Sequence, residues 1–261
     1  MDFKETLAQK AESTVPVKIT KEMNIAEMIR AMEPEIKKAL PSVITPERFT
    51  RMALSALNTN KQLLECTKMS FIAALMNAAQ LGLEPNTPLG QAYLIPYKNK
   101  GKVECKFIVG YKGMLDLVYR NENVQTIQAQ IVYENDLFEY ELGLESRLYH
   151  KPALEDRGEM IAVYALYKLS NGGYGFEVLS KDDVVMHAEK FSQGINSSYS
   201  PWKTDFEAMA MKTAIKRVLK FAPLKTESLR AIASDETIKH EIAVDMTEIN
   251  GDDIIDEAPQ S

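Results

Sequence analysis

The chain has 261 residues, enough for one large domain or two small ones, and its 45% hydrophobic and 26% charged residues are ordinary values for a protein with a packed core. No apolar run approaches the roughly 18 residues that a membrane span needs, and the polar N-terminal stretch is not an export signal, so we expect a cytoplasmic protein without a membrane partner. The two cysteines, Cys66 and Cys105, suit a reducing compartment and are too few for a zinc site.

Composition divides the chain into three predicted segments. The polar residues 1–22 predict a flexible N-terminal segment, residues 23–240 predict one folded domain, and residues 241–261 predict an acidic disordered tail. Apolar residues at helical spacing predict helices over residues 24–39, 45–60, 67–82, 111–121, 180–191, 204–222 and 226–239.

Local signals mark where several of these helices begin and end. Thr45 followed by Pro46 is typical of a helix start, and Gly82 is typical of a helix end. Thr204 and Glu207 have the spacing of a capping box, which predicts that a helix begins there.

Alternating apolar residues predict three antiparallel hairpins, over residues 91–110, 124–143 and 159–180. Their predicted turns lie at residues 99–101, 134–136 and 171–173. The predicted fold class is therefore α+β, with antiparallel β-hairpins forming a sheet that is flanked by helices.

The net charge of −6 is unevenly distributed. Residues 226–261 contain ten carboxylates against Arg230 and Lys239, so residues 1–225 carry a net charge of +2. This asymmetry suggests a body that meets a polyanion and a tail that does not. The alternative is that the tail only aids solubility.

The first cation-rich cluster lies on the helix predicted after Trp202, the only tryptophan. On a helical wheel its cations and Thr213 fall within about 140°, opposite an apolar face. No carboxylate occupies the i+4 positions that would neutralise these cations. An unpaired cationic face attracts phosphates. The alternative is a lysine-rich surface helix, with Trp202 as an anchor in the core.

The second cluster spans residues 98–120, where six cations face only Glu104 and Asp116. Tyrosines and Phe107 are interleaved with these cations. Cations that follow a backbone and aromatic faces that stack on bases are typical of single-strand binding without sequence preference. The alternative for the aromatics is strand core, which we favour for Phe107.

Motifs for nucleotide chemistry are absent from the sequence. It contains no P-loop, and its three histidines are scattered. Two-metal nucleases need paired carboxylates, and the best candidates are Glu134, Asp136, Glu139 and Glu141. The alternative is that these charges edge a hairpin.

Five blocks in order along the chain resemble one known family. They are "LGLEP" (81–85), "LGQAYLIPY" (89–97), "IVGYKGMLDLVYR" (108–120), "NGGYGFEVLS" (171–180) and "PWKTDFEAMAMKTAIKRVLKFAP" (201–223). Several separated blocks in matching order are more specific than any one of them. On these blocks, the chain resembles the RecT family of phage single-strand annealing recombinases over roughly residues 40–235.

The resemblance implies an ATP-independent, non-catalytic protein that binds single-stranded DNA and anneals complementary strands in phage homologous recombination, as an oligomeric ring or helical filament. It implies a Rad52-like annealing core, related also to Red beta, in which a sheet and helices bound a DNA groove. No cofactor is required, and Mg²⁺ is at most a counterion. The alternative functions are a Mg-dependent DNA nuclease of the same pathway and a structural phage protein that oligomerises without DNA.

The implied partners are single-stranded DNA, the annealed duplex intermediate, further copies of the chain, a phage exonuclease and the host single-strand binding protein, in the cytoplasm of a bacterial host. The loop between Lys98 and Lys106 matches the family less closely than the other blocks. No catalytic or metal-binding residue is predicted. The predicted DNA-binding residues, from the resemblance and the two clusters together, are Lys98, Lys100, Lys106, Tyr111, Lys112, Arg120, Asn123, Gln125, Trp202, Lys203, Lys212, Thr213, Lys216 and Arg217.

Overall fold

The structure is a computed structural model, and it describes residues 22–42, 44–99, 101–192, 195 and 200–253. Almost all of the segment predicted to be flexible, and the predicted DNA contact Lys100, lie outside the described residues. Residues 254–261 of the predicted tail lie outside them as well.

Helices supply both ends of the described chain. In chain order they are α1 (Ile25–Ala31), α2 (Glu33–Ala39), α3 (Pro46–Thr59), α4 (Lys68–Leu81), α5 (Tyr111–Tyr119), α6 (Lys181–Phe191), α7 (Pro201–Thr204), α8 (Phe206–Leu219) and α9 (Thr226–Ala233), with 3-10 turns at Lys61–Glu65 and Gly251–Asp253.

The predicted helix signals are confirmed in the N-terminal half. The helix predicted over residues 24–39 is divided at Met32 into α1 and α2, with Pro34 in the first turn of α2. The Thr45 hydroxyl accepts a hydrogen bond from the Arg48 N–H at the start of α3. Gly82 ends α4 in the left-handed conformation, with φ of 61°, which glycine adopts without the steric cost of a Cβ.

The strands form antiparallel pairs, as predicted, but in a different order. The strands are β1 (Ala92–Asn99), β2 (Lys102–Val109), β3 (Val124–Tyr133), β4 (Leu137–Glu141), β5 (Arg147–Lys151), β6 (Met160–Leu169) and β7 (Tyr174–Ser180). Strands β1 and β2 form one sheet, β3, β6 and β7 form a second in that order, and β4 and β5 form a third.

One predicted hairpin is wrong. The turn at residues 134–136 exists, but β3 and β4 do not pair across it. Strand β3 instead pairs with β6, and β4 pairs with β5. The first and third predicted hairpins, β1–β2 and β6–β7, are confirmed.

A continuous core joins the helices to the sheets, with Phe49, Phe71 and Phe107 among its fully buried side chains. Helix α4 packs on β2, and α8 packs across β6, β3 and β7. The α+β class is therefore confirmed. Within the described residues, no helix is both long and apolar enough to cross a membrane.

The packed structure extends beyond the predicted start of the tail at residue 241. Met246 is buried in the core, and its N–H donates to Gln80 Oε1. Lys239 forms a buried ion pair with Asp253, with 2.6 Å between nitrogen and oxygen. Met246 and Asp253, both within the predicted tail, therefore contact residues of the folded domain.

Candidate nucleic-acid interface

A groove of about 2200 Å³ lies between the first hairpin and helix α8. Its walls come from β1 and β2, the start of α5, and helices α6, α7 and α8. The turn after α9, residues 233–237, contributes to the same groove. Segments that are distant in sequence therefore line one surface.

The block GYKGM builds the part of the groove at the start of α5. The Gly110 N–H donates to Gln91 O over 2.9 Å. Glycine is also required at the second glycine of the block, because a Cβ at Gly113 would lie 2.1 Å from Gln91 O. This close approach holds Tyr111 and Lys112 in the first turn of α5, and both line the groove. Lys112 is exposed and makes no ion pair with another described residue.

Helix α8 begins at Phe206, and the predicted capping box is wrong. The Thr204 hydroxyl donates to Ser200 O within the short helix α7. Glu207 instead accepts a hydrogen bond of 2.7 Å from the Tyr133 hydroxyl on β3. This bond raises the pKa of Tyr133 and ties the start of α8 to the central sheet.

The cations in the middle of α8 are paired, and the expectation of an unpaired cationic face is wrong. Lys212 Nζ lies 3.0 Å from a carboxylate oxygen of Asp235 and 3.0 Å from one of Glu236. Lys216 Nζ lies 2.9 Å from Asp235 Oδ2. Lys212 is also buried, rather than on a solvated face. The carboxylates come from the turn after α9, so the i+4 positions of the helix give no sign of them.

Further cations continue the stripe toward the end of α8. Arg217 Nη1 lies 3.7 Å from Glu177 Oε1 on β7, a distance that describes a loose ion pair. Lys220 is exposed and makes no ion pair within the described part of the chain. Exposed cations are therefore present at both sides of the groove, at Lys112 and Lys220.

The turn that carries the two carboxylates is fixed to strand β2. The Val109 N–H donates to Asp235 Oδ1 over 2.8 Å. The Glu236 N–H donates to Phe107 O, and the Phe107 N–H donates to Thr237 O. These bonds place both carboxylates on the floor of the groove, beneath the cations of α8.

Aromatic side chains lie along the walls. Tyr93 on β1 is 38% exposed, and the half-buried Trp202 ring lies 6.0 Å from the Phe206 ring. On α6, the rings of His187 and Phe191 are 4.8 Å apart. Burial and the neighbouring cations of α8 lower the pKa of His187, which favours its neutral imidazole. The groove thus combines cations with exposed ring faces.

A groove with this composition is suited to a nucleic acid, and comparison with known proteins agrees. The model of the RecT family matches residues 47–249. The chain is 38% identical over 210 residues to Protein RecT of Escherichia coli (strain K12), an alignment that covers 79% of this chain and 77% of that protein.

The chain is also 30% identical over 222 residues to the Uncharacterized protein YqaK of Bacillus subtilis (strain 168), which covers 82% of this chain and 72% of that protein. The chain belongs to the RecT family. Membership of the RecT family supports a role in DNA binding, single-strand annealing and recombination.

The groove of this RecT family member brings together many of the predicted contacts, from both clusters. They are Lys106, Tyr111, Lys112, Trp202, Lys212, Thr213, Lys216 and Arg217. Lys106 is mostly buried, with Nζ 5.2 Å from the centre of the Tyr97 ring. The Thr213 hydroxyl donates to Met209 O of its own helix.

The other predicted contacts lie away from the groove lining. Lys98 is at the far end of the β1–β2 hairpin, and Asn123 and Gln125 are exposed around the start of β3. Lys203 is exposed beside Trp202. Arg120 pairs with Asp116 and donates to Leu81 O, so it caps the C-terminal end of α4.

The groove lining also includes residues that the predicted contact list omits, among them Tyr93, Phe191 and Lys220. The helical wheel places Lys220 on the cationic stripe, one turn beyond Lys216, although the contact list leaves it out. Tyr93 faces outward at period two on β1. Phe191 gives no comparable signal, because nothing in the sequence places α6 beside α8.

Two of the carboxylates considered for a nuclease, Asp136 and Glu141, are paired with cationic side chains in the structure. The Asp136 side chain is fully buried and is bound by Arg157, with His150 Nε2 3.0 Å from Oδ2. The N–H groups of Tyr133 and Ala153 donate to the same carboxylate. These bonds hold the pKa of Asp136 well below its usual range.

The nearby Glu141 forms an exposed pair with Arg147. Within the described residues, no group of three or more His, Cys, Asp or Glu side chains is arranged to hold a metal ion. Asp136 therefore organises the base of the β4–β5 hairpin.

Proposed function

We propose that this protein binds single-stranded DNA in the groove between the first hairpin and α8 and anneals it to a complementary strand. The observation that supports this proposal is the convergence of cations and aromatic rings from separate parts of the chain on one groove. Family membership supplies the general role, and the groove supplies a site for it.

The cations along the groove bind the DNA backbone in this proposal. Lys112 and Lys220 are exposed on different walls, and Lys216 is partly exposed between the helix and the floor. Contacts to phosphates fix the position of a strand but do not read its sequence. The protein therefore binds many sequences, and its affinity decreases as the salt concentration rises.

The aromatic side chains hold the bases. Stacking of a base on an aromatic ring contributes about 1–3 kcal/mol and tolerates any sequence. Tyr93, Trp202 and Phe191 offer ring surface in the groove. A strand held by its phosphates and partly stacked keeps base edges available to a second strand.

Annealing in this scheme requires no ATP, because base pairing supplies the free energy. The protein lowers phosphate repulsion between the strands and removes intrastrand structure. Copies of the chain bind side by side in a ring or helical filament, which extends the groove along the DNA. An exonuclease supplies the single strands, and the host single-strand binding protein is the other partner.

The experiment compares two double variants of equal charge. Lys112→Ala with Lys220→Ala removes two exposed groove cations, and Lys151→Ala with Lys168→Ala removes exposed cations outside the groove lining. Affinity for labelled oligo(dT) is measured by anisotropy across a salt titration, and annealing is followed by energy transfer between complementary strands without ATP.

The groove variant should bind more weakly, and the slope of log K against log salt should decrease by about 1.4, or about 0.7 for each lost phosphate contact on a single strand. The control variant should match the parent. Equal slopes for both variants and the parent would overturn the proposed groove. Degradation of the labelled strand in Mg²⁺ would favour a nuclease instead.

A further inference from the structure

Two carboxylates on the floor of the groove, both from the turn after α9, share the cations of α8 above them. Asp235 contacts Lys212 and Lys216, and Glu236 contacts Lys212 at 3.0 Å and Lys216 at 3.8 Å. The pair occupies the place where a phosphate would meet these cations. The two carboxylates nevertheless differ in how firmly they are held.

Asp235 is a fixed part of the structure. Its side chain is fully buried, and one of its oxygens also accepts the Val109 N–H over 2.8 Å. Removing this carboxylate from its site would leave the Val109 N–H without its acceptor and would take one of two carboxylate partners from the buried Lys212. A DNA phosphate therefore cannot displace it at a reasonable free-energy cost.

Glu236 is different, because only its backbone is fixed. The Glu236 N–H donates to Phe107 O, and the residue has φ of 67°. A residue other than glycine occupies this region only where its surroundings hold it there. The Glu236 side chain is 36% exposed at the groove, and its carboxylate accepts a hydrogen bond from Lys212 of α8, which lies outside the turn. Its carboxylate can therefore move away from the cations without breaking the turn.

We propose that Glu236 is an internal counterion, which competes with a DNA phosphate for Lys216 and so limits the affinity of the groove for single-stranded DNA. This inference rests on the proposed function and adds a residue that tunes it. Lys216 is the cation concerned, because its side chain is 36% exposed whereas Lys212 is buried.

The electrostatic surroundings keep the competitor charged. Lys212, and then Lys216 and Lys106, hold the pKa of Glu236 well below its usual range despite its burial. The lowered pKa favours the ionised carboxylate. A phosphate that approaches Lys216 must displace or approach this negative charge, which weakens binding.

Limited affinity has a use in annealing. A protein that holds single strands too tightly also retains the product and blocks the next strand. An internal carboxylate returns to Lys216 when the phosphate leaves, so it stabilises the empty groove and favours release. The same competition lowers the number of solution ions that binding releases.

The test replaces the charge and keeps the shape. Glu236→Gln should bind oligo(dT) about two- to fivefold more tightly than the parent, the range expected when one partly exposed ion pair is removed. Its salt dependence should be steeper, by up to about 0.7 in slope. Glu139→Gln, an exposed carboxylate on β4 outside the groove lining, makes the same change in net charge and should leave both values unchanged.

A second variant protects the test against misfolding. Glu236→Asn removes the charge with a residue that tolerates positive φ, and thermal unfolding of both variants is compared with the parent. Tighter binding by folded Glu236→Gln or Glu236→Asn supports the proposal. Unchanged or weaker binding, or loss of folding in both variants, overturns it. If the parent itself does not bind oligo(dT), the proposed function is what fails.

Discussion

Two buried carboxylates, Asp136 and Asp235, have similar partners but occupy different kinds of site. Each side chain is fully buried, and each accepts hydrogen bonds from a backbone N–H and from cationic side chains. Around Asp136, the ligands are Arg157, an imidazole and two backbone donors from the base of one hairpin. Around Asp235, they are two lysines of a helix that faces a groove of about 2200 Å³.

The difference shows what separates a structural ion cluster from a candidate interface. The charges at Asp136 are satisfied by one another and leave little for a ligand. At Asp235, a second carboxylate and further cations continue into an open groove lined by aromatic rings. The two carboxylates make similar bonds. Only the cluster around Asp235 adjoins an open groove in which a ligand could bind.

The largest expected effect is a loss of stability at the ion cluster around Asp136. Asp136→Asn should lower the free energy of unfolding by about 3 kcal/mol at pH 7, because it leaves Arg157 and two backbone donors without an ionised acceptor. Denaturant unfolding measures this loss. Asp156→Asn, a change of the same type at an exposed position with φ of 42°, is the control and should have little effect.

The effect of Asp136→Asn should also depend on pH. Because the pKa of Asp136 is lowered in the folded state, its contribution to stability is complete above the unfolded value of about 3.9 and is lost as the pH falls below it. The difference in unfolding free energy between parent and variant should be smaller at pH 3 than at pH 7, by about 1 kcal/mol. An equal difference at both values would contradict the role assigned to this carboxylate.

The ion cluster around Asp235 should lose less stability when one partner is removed. Lys212→Ala should cost about 2 kcal/mol of unfolding free energy, because Asp235 keeps Lys216 and the Val109 N–H as partners. Denaturant unfolding again provides the value. Lys112→Ala removes an exposed cation of the same groove and should be nearly neutral for stability. A stable Lys212→Ala protein would mean that this lysine is not a structural partner of the turn.

The smallest effect concerns one ring in the groove. Trp202→Ala should weaken binding of oligo(dT) by about 1 kcal/mol, about fivefold, if one base stacks there. The salt slope should stay at the parent value, since no cation is lost. Trp202→Phe keeps a ring and should recover most of the affinity. If Trp202→Ala unfolds more easily but binds normally, the tryptophan is an anchor in the core.

The sequence predicted the positions of the secondary-structure elements better than it predicted which strands pair. The turn between β3 and β4 is where it was expected, yet these strands belong to different sheets. Alternation identifies a strand but does not identify its neighbour. The strand lengths agree with the observed pairing, because the paired strands β3 and β6 have ten residues each, whereas the paired strands β4 and β5 have five each.

The sequence predicted the cations of the candidate site but not the carboxylates that pair with them. The stripe on α8 is visible on a helical wheel, and it does face the groove. Its partner carboxylates follow Lys212 by more than twenty residues, after another helix, and only the packing of that turn against β2 brings them near. Spacing within one helix cannot report a contact of this kind.

The central claim is that a single strand of DNA lies in this groove, and lysine footprinting tests it on the unaltered protein. The protein is acetylated with and without saturating oligo(dT), and the modified lysines are quantified by mass spectrometry. We predict that DNA protects Lys112 and Lys220, while Lys151 and Lys168 react equally in both samples. Protection of Lys151 and Lys168, with Lys112 and Lys220 unprotected, would contradict the account.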